Sequence, residues 1–290
     1  MSSPRLLACF AHPDDEAFTA SGVLALCTGQ GVTAHLVCAT GGEEGDIRTP
    51  GAATRETLSQ VRYQELCQSC QVLGIQAPPI MLGYRDSGWG DSPAQYHPQA
   101  LVQAPDREVI GRLVAEIRRL RPHVVLTFGP DGISGHKDHT AICQYTTAAF
   151  HQAGDASAFP TQLQHGLRAY RPQRLFYVAR PQGHRLSRAL RLRQAGVDVP
   201  LPEADGQPQG IPLTDMHLTL DVAAHLESKI ASMRCHRTQG PPDWPLLCVP
   251  RDALLDIHGT EHLLRAYPPV PDGTVLPMDL FAGVRLVERR

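Results

Sequence analysis

Short apolar runs alternate with longer amphipathic segments over the first 180 residues, and this alternation restricts the fold more than any other feature of the chain. Strands that alternate with helices pair in parallel, because each helix carries the chain back across one face of the sheet. The sequence therefore predicts an α/β fold, a Rossmann-like and mostly parallel sheet with helices on both faces. The predicted strands are residues 5–10, 32–39, 79–83, 123–128 and 174–179.

The predicted helices lie between and after these strands. The segment 55–73 shows the pattern most clearly, because Leu58 and Leu66 fall near one face and Gly74 follows as a stop signal. The other predicted helices are residues 16–28, 106–120, 138–152 and 185–194.

The alternation weakens after residue 180. Residues 197–212 are rich in Pro, Gly and acidic side chains and are predicted to form a long loop, followed by a strand at 215–222 and a helix at 223–235. Residues 241–277 are Pro-rich and are predicted to be irregular. We therefore divide the chain into a catalytic core at residues 1–180 and a C-terminal cap at 181–290, which pack as one structural unit.

Composition narrows the class of partner. The net charge of −2 offers no basic excess to neutralise phosphates, so we expect no nucleic-acid partner. The N-terminus lacks a signal-peptide pattern and no apolar stretch reaches the ~20 residues that span a bilayer, so we expect a cytoplasmic protein without membrane insertion. The eight cysteines include one isolated C-x-x-C pair, Cys67 and Cys70, and we expect them to pack rather than to form disulfides or a four-cysteine zinc site.

Polar clusters follow four of the predicted strands at the point where each strand ends. In a parallel sheet these carboxyl ends share one edge, where open α/β sheets bind their ligands. The clusters are His12-Pro13-Asp14-Asp15-Glu16, Thr40-Gly41-Gly42-Glu43-Glu44-Gly45, Tyr84-Arg85-Asp86-Ser87-Gly88 and the segment 129–139, which contains His136-Lys137-Asp138-His139.

The first and last of these clusters have the residue types of a metal site. Two histidines and one carboxylate leave a coordination position for water, which is the arrangement of catalytic zinc. Asp14 would then lie beside the metal-bound water as a general base, His136 would stabilise the oxyanion or protonate the leaving amine, and Asp138 would orient an imidazole. Asp14, Asp15 or Asp138 could instead serve only as a helix N-cap.

At these residues the chain resembles the LmbE-like (PIG-L) N-acetylglucosaminyl deacetylase family, which includes the deacetylases of mycothiol and bacillithiol biosynthesis and related amidases. The resemblance rests on Ala11-His12-Pro13-Asp14-Asp15-Glu16 together with His136-x-Asp138-His139, and covers roughly the first 150 residues. Further similar features are Thr40-x-Gly42-Glu43-x-Gly45, Arg62-x-x-Glu65 and Arg85-Asp86-Ser87-Gly88.

The resemblance implies a role for each matching residue. It implies Zn²⁺ bound by His12, Asp15 and His139, with Fe²⁺ as the other candidate metal. It implies that Asp14 is the base and His136 the electrophilic or acidic partner. The implied substrate-binding residues are Arg62 and Asp86, which would contact sugar hydroxyls, and Glu43, which would bind the substrate or brace the metal site unless it is an ordinary loop acid.

One position departs from the family pattern. Ser134 stands where the mycothiol branch has a tyrosine before the second histidine motif, which argues against a tyrosine-assisted oxyanion hole and a mycothiol substrate. We expect removal of the acetyl group from a small-molecule amino-sugar conjugate, with an amidase for larger acyl groups or thiol conjugates as the alternative. A non-catalytic sugar- or nucleotide-binding module is the alternative of another class, although no G-x-G-x-x-G follows the first strand. The sequence leaves open whether the protein is a homo-oligomer.

Overall fold

A computed structural model describes residues 3–202, 210–271 and 273–286, and its centre is a seven-stranded sheet with the order β3-β2-β1-β4-β5-β7-β6. The first five strands are parallel, whereas β7 pairs antiparallel with both β5 and β6. The predicted mostly parallel α/β sheet is therefore confirmed. The strands are β1 Arg5–Phe10, β2 Thr33–Thr40, β3 Ile80–Tyr84, β4 Val124–Phe128, β5 Arg174–Ala179, β6 Leu218–Asp221 and β7 Thr260–Tyr267.

Helices pack against this sheet in two groups. In one group α4 contacts α6, and in the other α2 and α3 both contact α9. Within the described residues, no helix is both long and apolar enough to cross a membrane. The helices are α1 Asp15–Thr19, α2 Ser21–Gly29, α3 Leu58–Val72, α4 Asp106–Leu120, α5 Gly132–Gly135, α6 Lys137–Gln152, α7 Pro160–Gln164, α8 His184–Gln194, α9 Leu226–Cys235, α10 Pro245–Cys248 and α11 Arg251–His258.

The most apolar strands lie at the centre of the sheet. Every residue of β1 and β4 is buried, which is why residues 6–10 and 124–126 are continuous apolar runs rather than alternating ones. Strand β1 pairs with β2 on one side and with β4 on the other. The first and last predicted metal-site clusters therefore emerge from neighbouring central strands, which brings together segments more than 100 residues apart in the sequence.

The single helix predicted at 16–28 is wrong, because the chain breaks at Ala20 and begins a second helix. Ala20 has a non-helical backbone (φ −142°, ψ 8°), and the first amide groups of α2 are capped by a distant acid. The Glu261 carboxylate accepts hydrogen bonds from the N–H groups of Gly22 and Val23 at 2.9 and 2.8 Å. This capping satisfies N–H groups that a continuous helix would have paired internally.

The prediction that residues 241–277 are irregular is also wrong. They contain α10, α11 and β7, and β7 lies between β5 and β6 inside the sheet. Strand β7 was not predicted because the Pro-rich residues around it suggested a loop. Its pairing partners, β5 and β6, are remote in sequence. Part of the loop predicted at 197–212 lies outside the described residues. The division of the chain at residue 180 stays a prediction, and two strands from beyond it complete the same sheet.

Candidate active site

A cavity of about 370 Å³ opens at the carboxyl edge of the parallel strands. Residues from the loops that follow β1, β2, β3 and β4 line it, as the positions of the polar clusters predicted. The predicted site residues that line it are His12, Asp14, Asp15, Arg62, Asp86, His136 and His139. Asp138 and Glu43 are not part of this lining.

The Asp15 carboxylate stabilises the turn after β1. Asp15 Oδ2 accepts hydrogen bonds from the N–H groups of Ala11 at 3.0 Å and His12 at 2.8 Å. Asp14 stands at the N-cap position of α1 with φ 129°, a conformation that strains a residue with a Cβ, and its side chain makes no cap hydrogen bond. The capping alternative therefore does not describe Asp14 or Asp15.

His136 stabilises the turn before α6. His136 is the N-cap, and its Nδ1 accepts a hydrogen bond from the N–H of Asp138 at 3.1 Å. The capping alternative is therefore wrong for Asp138, whose buried carboxylate approaches His12 instead. Asp138 Oδ2 lies 3.2 Å from Nε2 of His12 and accepts a hydrogen bond from the N–H of Ser87 at 2.9 Å.

Three donor atoms from the two histidine motifs face one another. Nδ1 of His12 and Nε2 of His139 are 3.2 Å apart. Asp15 Oδ1 lies 3.3 Å from Nε2 of His139, and Asp15 Oδ2 lies 3.6 Å from Nδ1 of His12. Two imidazole nitrogens and a carboxylate are the donor set of many catalytic zinc sites.

The protonation of the two imidazoles supports a cation at this point. Nδ1 of His139 lies 3.0 Å from the carbonyl oxygen of Gly132, which can only accept a hydrogen bond, so this nitrogen carries the proton. Nε2 of His12 faces the Asp138 carboxylate and donates in the same way. With these tautomers the two facing nitrogens, 3.2 Å apart, have room for one cation between their lone pairs, which is either a proton or a metal ion. The residues present thus fit a divalent metal.

His136 belongs to the same cluster but is arranged as a donor. One nitrogen each of His12, His136 and His139 lie within 4.8 Å of one another. Because Nδ1 of His136 accepts the cap hydrogen bond, the proton is on Nε2 and that nitrogen has no lone pair for a metal. Burial and the neighbouring His12 and His139 lower the pKa of His136 to about 4, which keeps the imidazole neutral.

Asp14 is held by a buried arginine. Nη2 of Arg62 lies 3.1 Å from Asp14 Oδ2, and the guanidinium also donates to the carbonyl oxygens of Gly42 at 2.7 Å and Pro13 at 2.5 Å. Burial raises the pKa of Asp14 to about 6 although Arg62 opposes this shift. Gly42 has φ +67°, and a Cβ there would come within 2.1 Å of Arg62 Nη1, so this loop requires glycine.

The predicted substrate-binding residues occupy different places. Asp86 is buried on the cavity wall, with Oδ1 3.4 Å from Nε2 of His12. Arg62 lines the cavity but already has three protein partners. Glu43 accepts a hydrogen bond from the N–H of Asp86 at 3.0 Å and so joins two loops, whereas the adjacent Glu44 lines the cavity. Their contacts with a substrate stay predictions.

Several lining residues were not predicted to belong to the site. Arg180 directly follows β5, so its position at the end of a fifth strand is a sequence signal comparable to the other four. Trp244 and Gln239 come from the segment after α9, so they lack the preceding strand that marked the other loops of the site. The lining residues Glu44, Gly45, Gly88, Ile133 and Ser134 lie in the predicted polar clusters but had no assigned role there, and the remaining lining residues are Phe18, Thr19, Arg48 and Trp89.

A second buried network supports the first turn from behind. Nε2 of His236 lies 2.6 Å from Glu16 Oε1, and Glu16 Oε2 accepts a hydrogen bond from the N–H of Asp14 at 3.1 Å. The Ser69 hydroxyl donates to the same Glu16 carboxylate at 2.5 Å. The strained backbone at Asp14 is therefore tied to α3 and to the end of α9.

Comparison with known proteins agrees with this geometry. Residues 7–150 match the sequence profile of PIG-L, described as GlcNAc-PI de-N-acetylase. The 1D-myo-inositol 2-acetamido-2-deoxy-alpha-D-glucopyranoside deacetylase of Rhodococcus jostii is 32% identical over 98% of this chain and 99% of its own length.

Two solved structures share the fold at lower identity. The N,N'-diacetylchitobiose deacetylase of Pyrococcus horikoshii has a TM-score of 0.64 at 19% identity, covering 91% of this chain and 84% of that chain. GalB, the 4-carboxy-2-hydroxymuconate hydratase of Pseudomonas putida, has a TM-score of 0.60 at 18% identity, covering 93% and 98%. These likenesses show the fold alone, since the two proteins are named for different reactions. Together with the full-length relative, the profile match shows that the chain belongs to the PIG-L family of GlcNAc-PI de-N-acetylases.

Proposed function

We propose that this protein is a metal-dependent N-deacetylase that removes the acetyl group from a small N-acetylglucosamine conjugate. The observation that carries the proposal is the pair of facing ring nitrogens of His12 and His139, with the Asp15 carboxylate beside them and Asp14 adjacent. His12, Asp15 and His139 would hold the metal, and zinc suits this nitrogen and oxygen donor set, as does Fe²⁺. When bound, the metal supplies Lewis-acid activation of water and of the acetyl carbonyl.

Residues of the chain would carry out the remaining catalytic roles. Asp14 accepts a proton from the attacking water, and Arg62 orients its carboxylate from 3.1 Å. His136 donates a hydrogen bond from Nε2 to the acetyl oxygen as negative charge develops there. Water adds to the acetyl carbon, the C–N bond breaks, and the proton passes to the departing nitrogen, which leaves acetate and a primary amine.

Other residues would position these groups and the sugar. Asp138 fixes the orientation and tautomer of His12 through the contact at 3.2 Å. Asp86 and Arg62 would contact sugar hydroxyls from the cavity wall. The name of the Rhodococcus jostii relative, a deacetylase of an inositol glycoside of this amino sugar, supports a glycoside of N-acetylglucosamine as the substrate class.

A substrate screen tests the proposal. The purified metal-loaded protein is incubated with N-acetylglucosaminides of different aglycones, and released primary amine and acetate are measured. The same sugars with longer N-acyl chains, and acetylated peptides, serve as controls. We expect amine release from the acetyl sugars and loss of that release on chelation. Cleavage of peptides or long acyl amides without cleavage of any acetyl sugar would replace the proposal with an amidase.

A further inference from the structure

A second cavity, of about 530 Å³, adjoins the active-site cavity and is lined mainly by the C-terminal part of the chain. The two cavities share four lining residues, Phe18, Thr19, Arg180 and Trp244. Arg180 therefore stands at the junction, directly after β5 and at the same sheet edge as the catalytic residues. A group linked to a substrate in the first cavity could extend into the second.

The second cavity is lined by cations more than by anions. Helix α8 turns His184, Arg188 and Arg191 toward it, which are spaced at i, i+4 and i+7 and so share one helix face. Arg191 is neutralised by Asp256 at 2.8 Å, and Lys229 elsewhere on the wall is neutralised by Glu261 at 2.5 Å.

Two guanidinium groups of this wall have no neutralising partner in the part of the chain that the structure describes. Among the residues that the structure describes, no carboxylate forms an ion pair with Arg180 or Arg188. Toward the described residues, the Arg180 side chain donates one long hydrogen bond, at 3.4 Å, to the carbonyl oxygen of Phe18.

The pKa shifts of Arg180 and His184 agree with an excess of positive charge on this wall. Burial and the neighbouring Arg188 and Arg185 lower the pKa of Arg180 to about 10, so it stays protonated at neutral pH. Burial and the charges of Arg180 and Arg188 lower the pKa of His184 to about 3, so this imidazole adds no charge. Within the described residues, the wall therefore carries two guanidinium charges with no paired carboxylate, in a recess where an anion is bound more strongly than in open water.

We propose that the second cavity is a subsite for an anionic group, a carboxylate or a phosphate, carried by the aglycone of the amino-sugar substrate, with Arg180 and Arg188 as its ligands. Guanidinium groups suit this task because they donate two parallel hydrogen bonds to either anion. This inference rests on the proposed function, since it assumes that the acetamido group lies in the first cavity. Under this proposal, the enzyme prefers substrates whose aglycone carries an anion.

Matched glycosides test the subsite and distinguish the two anions. One pair of N-acetylglucosaminides carries a 3-hydroxypropionate aglycone or its neutral methylamide, and a second pair carries 2-hydroxyethyl phosphate or neutral 2-hydroxyethyl. For each, kcat/KM is measured by amine release, and affinity by calorimetry. We expect one or both anions to be preferred over the neutral partner by about tenfold or more, in kcat/KM and in affinity. The preferred pair identifies the anion, and equal values within both pairs would overturn the inference.

Variants on α8 supply the second part of the test. Arg188→Gln should remove most of the preference for the anion, and Arg188→Lys should keep part of it because the charge remains. Arg193→Gln is the matched control, since Arg193 is exposed on the same helix and lines neither cavity. Circular dichroism checks that each variant folds. A full preference in Arg188→Gln would overturn the subsite.

The failure of the two proposals can be told apart. If the anionic glycosides bind preferentially but release no amine, the deacetylase proposal fails and the subsite stands. If amine is released at equal rates from charged and neutral glycosides, the deacetylase proposal stands and the subsite fails.

Discussion

Nδ1 of His12 and Nε2 of His139 face each other at 3.2 Å, and each ring gives the proton of its other nitrogen to a fixed acceptor. For His12 the acceptor is the Asp138 carboxylate, and for His139 it is the carbonyl oxygen of Gly132. The orientation and tautomer of both imidazoles are thus set by protein groups. A metal site arranged in this way binds its ion without reorganising the ligands.

His12→Ala and Asp14→Asn should fail in different ways. His12→Ala removes a proposed metal ligand, so metal content and turnover should fall together. Asp14→Asn keeps the side-chain shape and leaves the three ligands in place, so metal should stay bound while turnover falls by roughly 10²–10⁴-fold. Metal content, substrate affinity and turnover are measured on both variants. Near-normal turnover by metal-loaded Asp14→Asn would exclude Asp14 as the base.

Asp138→Asn should weaken metal binding without unfolding the protein. The substitution removes the charge that holds His12, and loss of such a partner typically lowers metal affinity by about 10–100-fold. The N-terminus of α6 should survive, because its cap is His136. Competition with a fluorescent chelator measures the affinity. Asp131→Asn is the control, since Asp131 caps α5 in the same loop through the N–H of Ile133 and contacts neither ligand histidine. Equal affinities in the two variants would argue against this role for Asp138.

Lys229→Met should destabilise the fold strongly. Lys229 and Glu261 are both buried, and their pair at 2.5 Å links α9 to β7. Removing the cation leaves an unpaired buried carboxylate, which typically lowers the free energy of unfolding by about 3–5 kcal/mol. The double variant Lys229→Met/Glu261→Gln should recover part of this loss, because a neutral amide oxygen still accepts from the start of α2.

An exposed ion pair serves as the control for the buried pair of Lys229 and Glu261. Arg251 and Glu227 form an ion pair at the surface. Arg251→Met should therefore change the free energy of unfolding by about 1 kcal/mol or less. Urea unfolding curves compare all three variants. If Lys229→Met were no more damaging than Arg251→Met, the buried pair would have no special role in joining α9 to β7.

His123 should make the fold sensitive to mild acid. Its buried Nδ1 accepts a hydrogen bond from the N–H of Arg5 at 3.0 Å, so a second proton would break that bond. Burial, and then the charge of Arg5, lower the pKa of His123 from 6.5 to about 4. Between these two values the unfolded chain binds more protons than the folded one. Its contribution to stability is therefore complete above pH 6.5 and is lost as the pH falls toward 4, by at most about 1.4 kcal/mol per pH unit.

The variant His123→Asn isolates this contribution. The amide oxygen of Asn keeps an acceptor for the Arg5 N–H but does not titrate. Metal-free protein is unfolded with urea at several pH values, and the free energy of unfolding is plotted against pH. The slope in the window should be shallower for the variant than for the parent protein. Identical slopes would show that His123 does not contribute to the acid sensitivity.

The sequence by itself determined the sheet and the edge at which its chemistry lies. Periodicity identifies the central parallel strands, because β1 and β4 are buried on both faces and are apolar apart from Arg5 and Thr127. The rule that carboxyl ends share one edge then placed His12 and His139 together. The two helices, α1 and α2, were predicted as one because the cap that separates them is supplied by Glu261, more than 200 residues away.

Only the tertiary structure decided how the polar groups pair across that edge. The local sequence does not show which of several carboxylates approaches His12. In the folded protein, Asp138 and Asp86 are the carboxylates that lie near Nε2 of His12. It also joined Asp14 to Arg62, placed β7 inside the sheet, and left Arg180 and Arg188 facing a second cavity. The physical reason is that periodicity reports each residue's burial, whereas hydrogen bonds and ion pairs depend on distances between segments that meet only when the core packs.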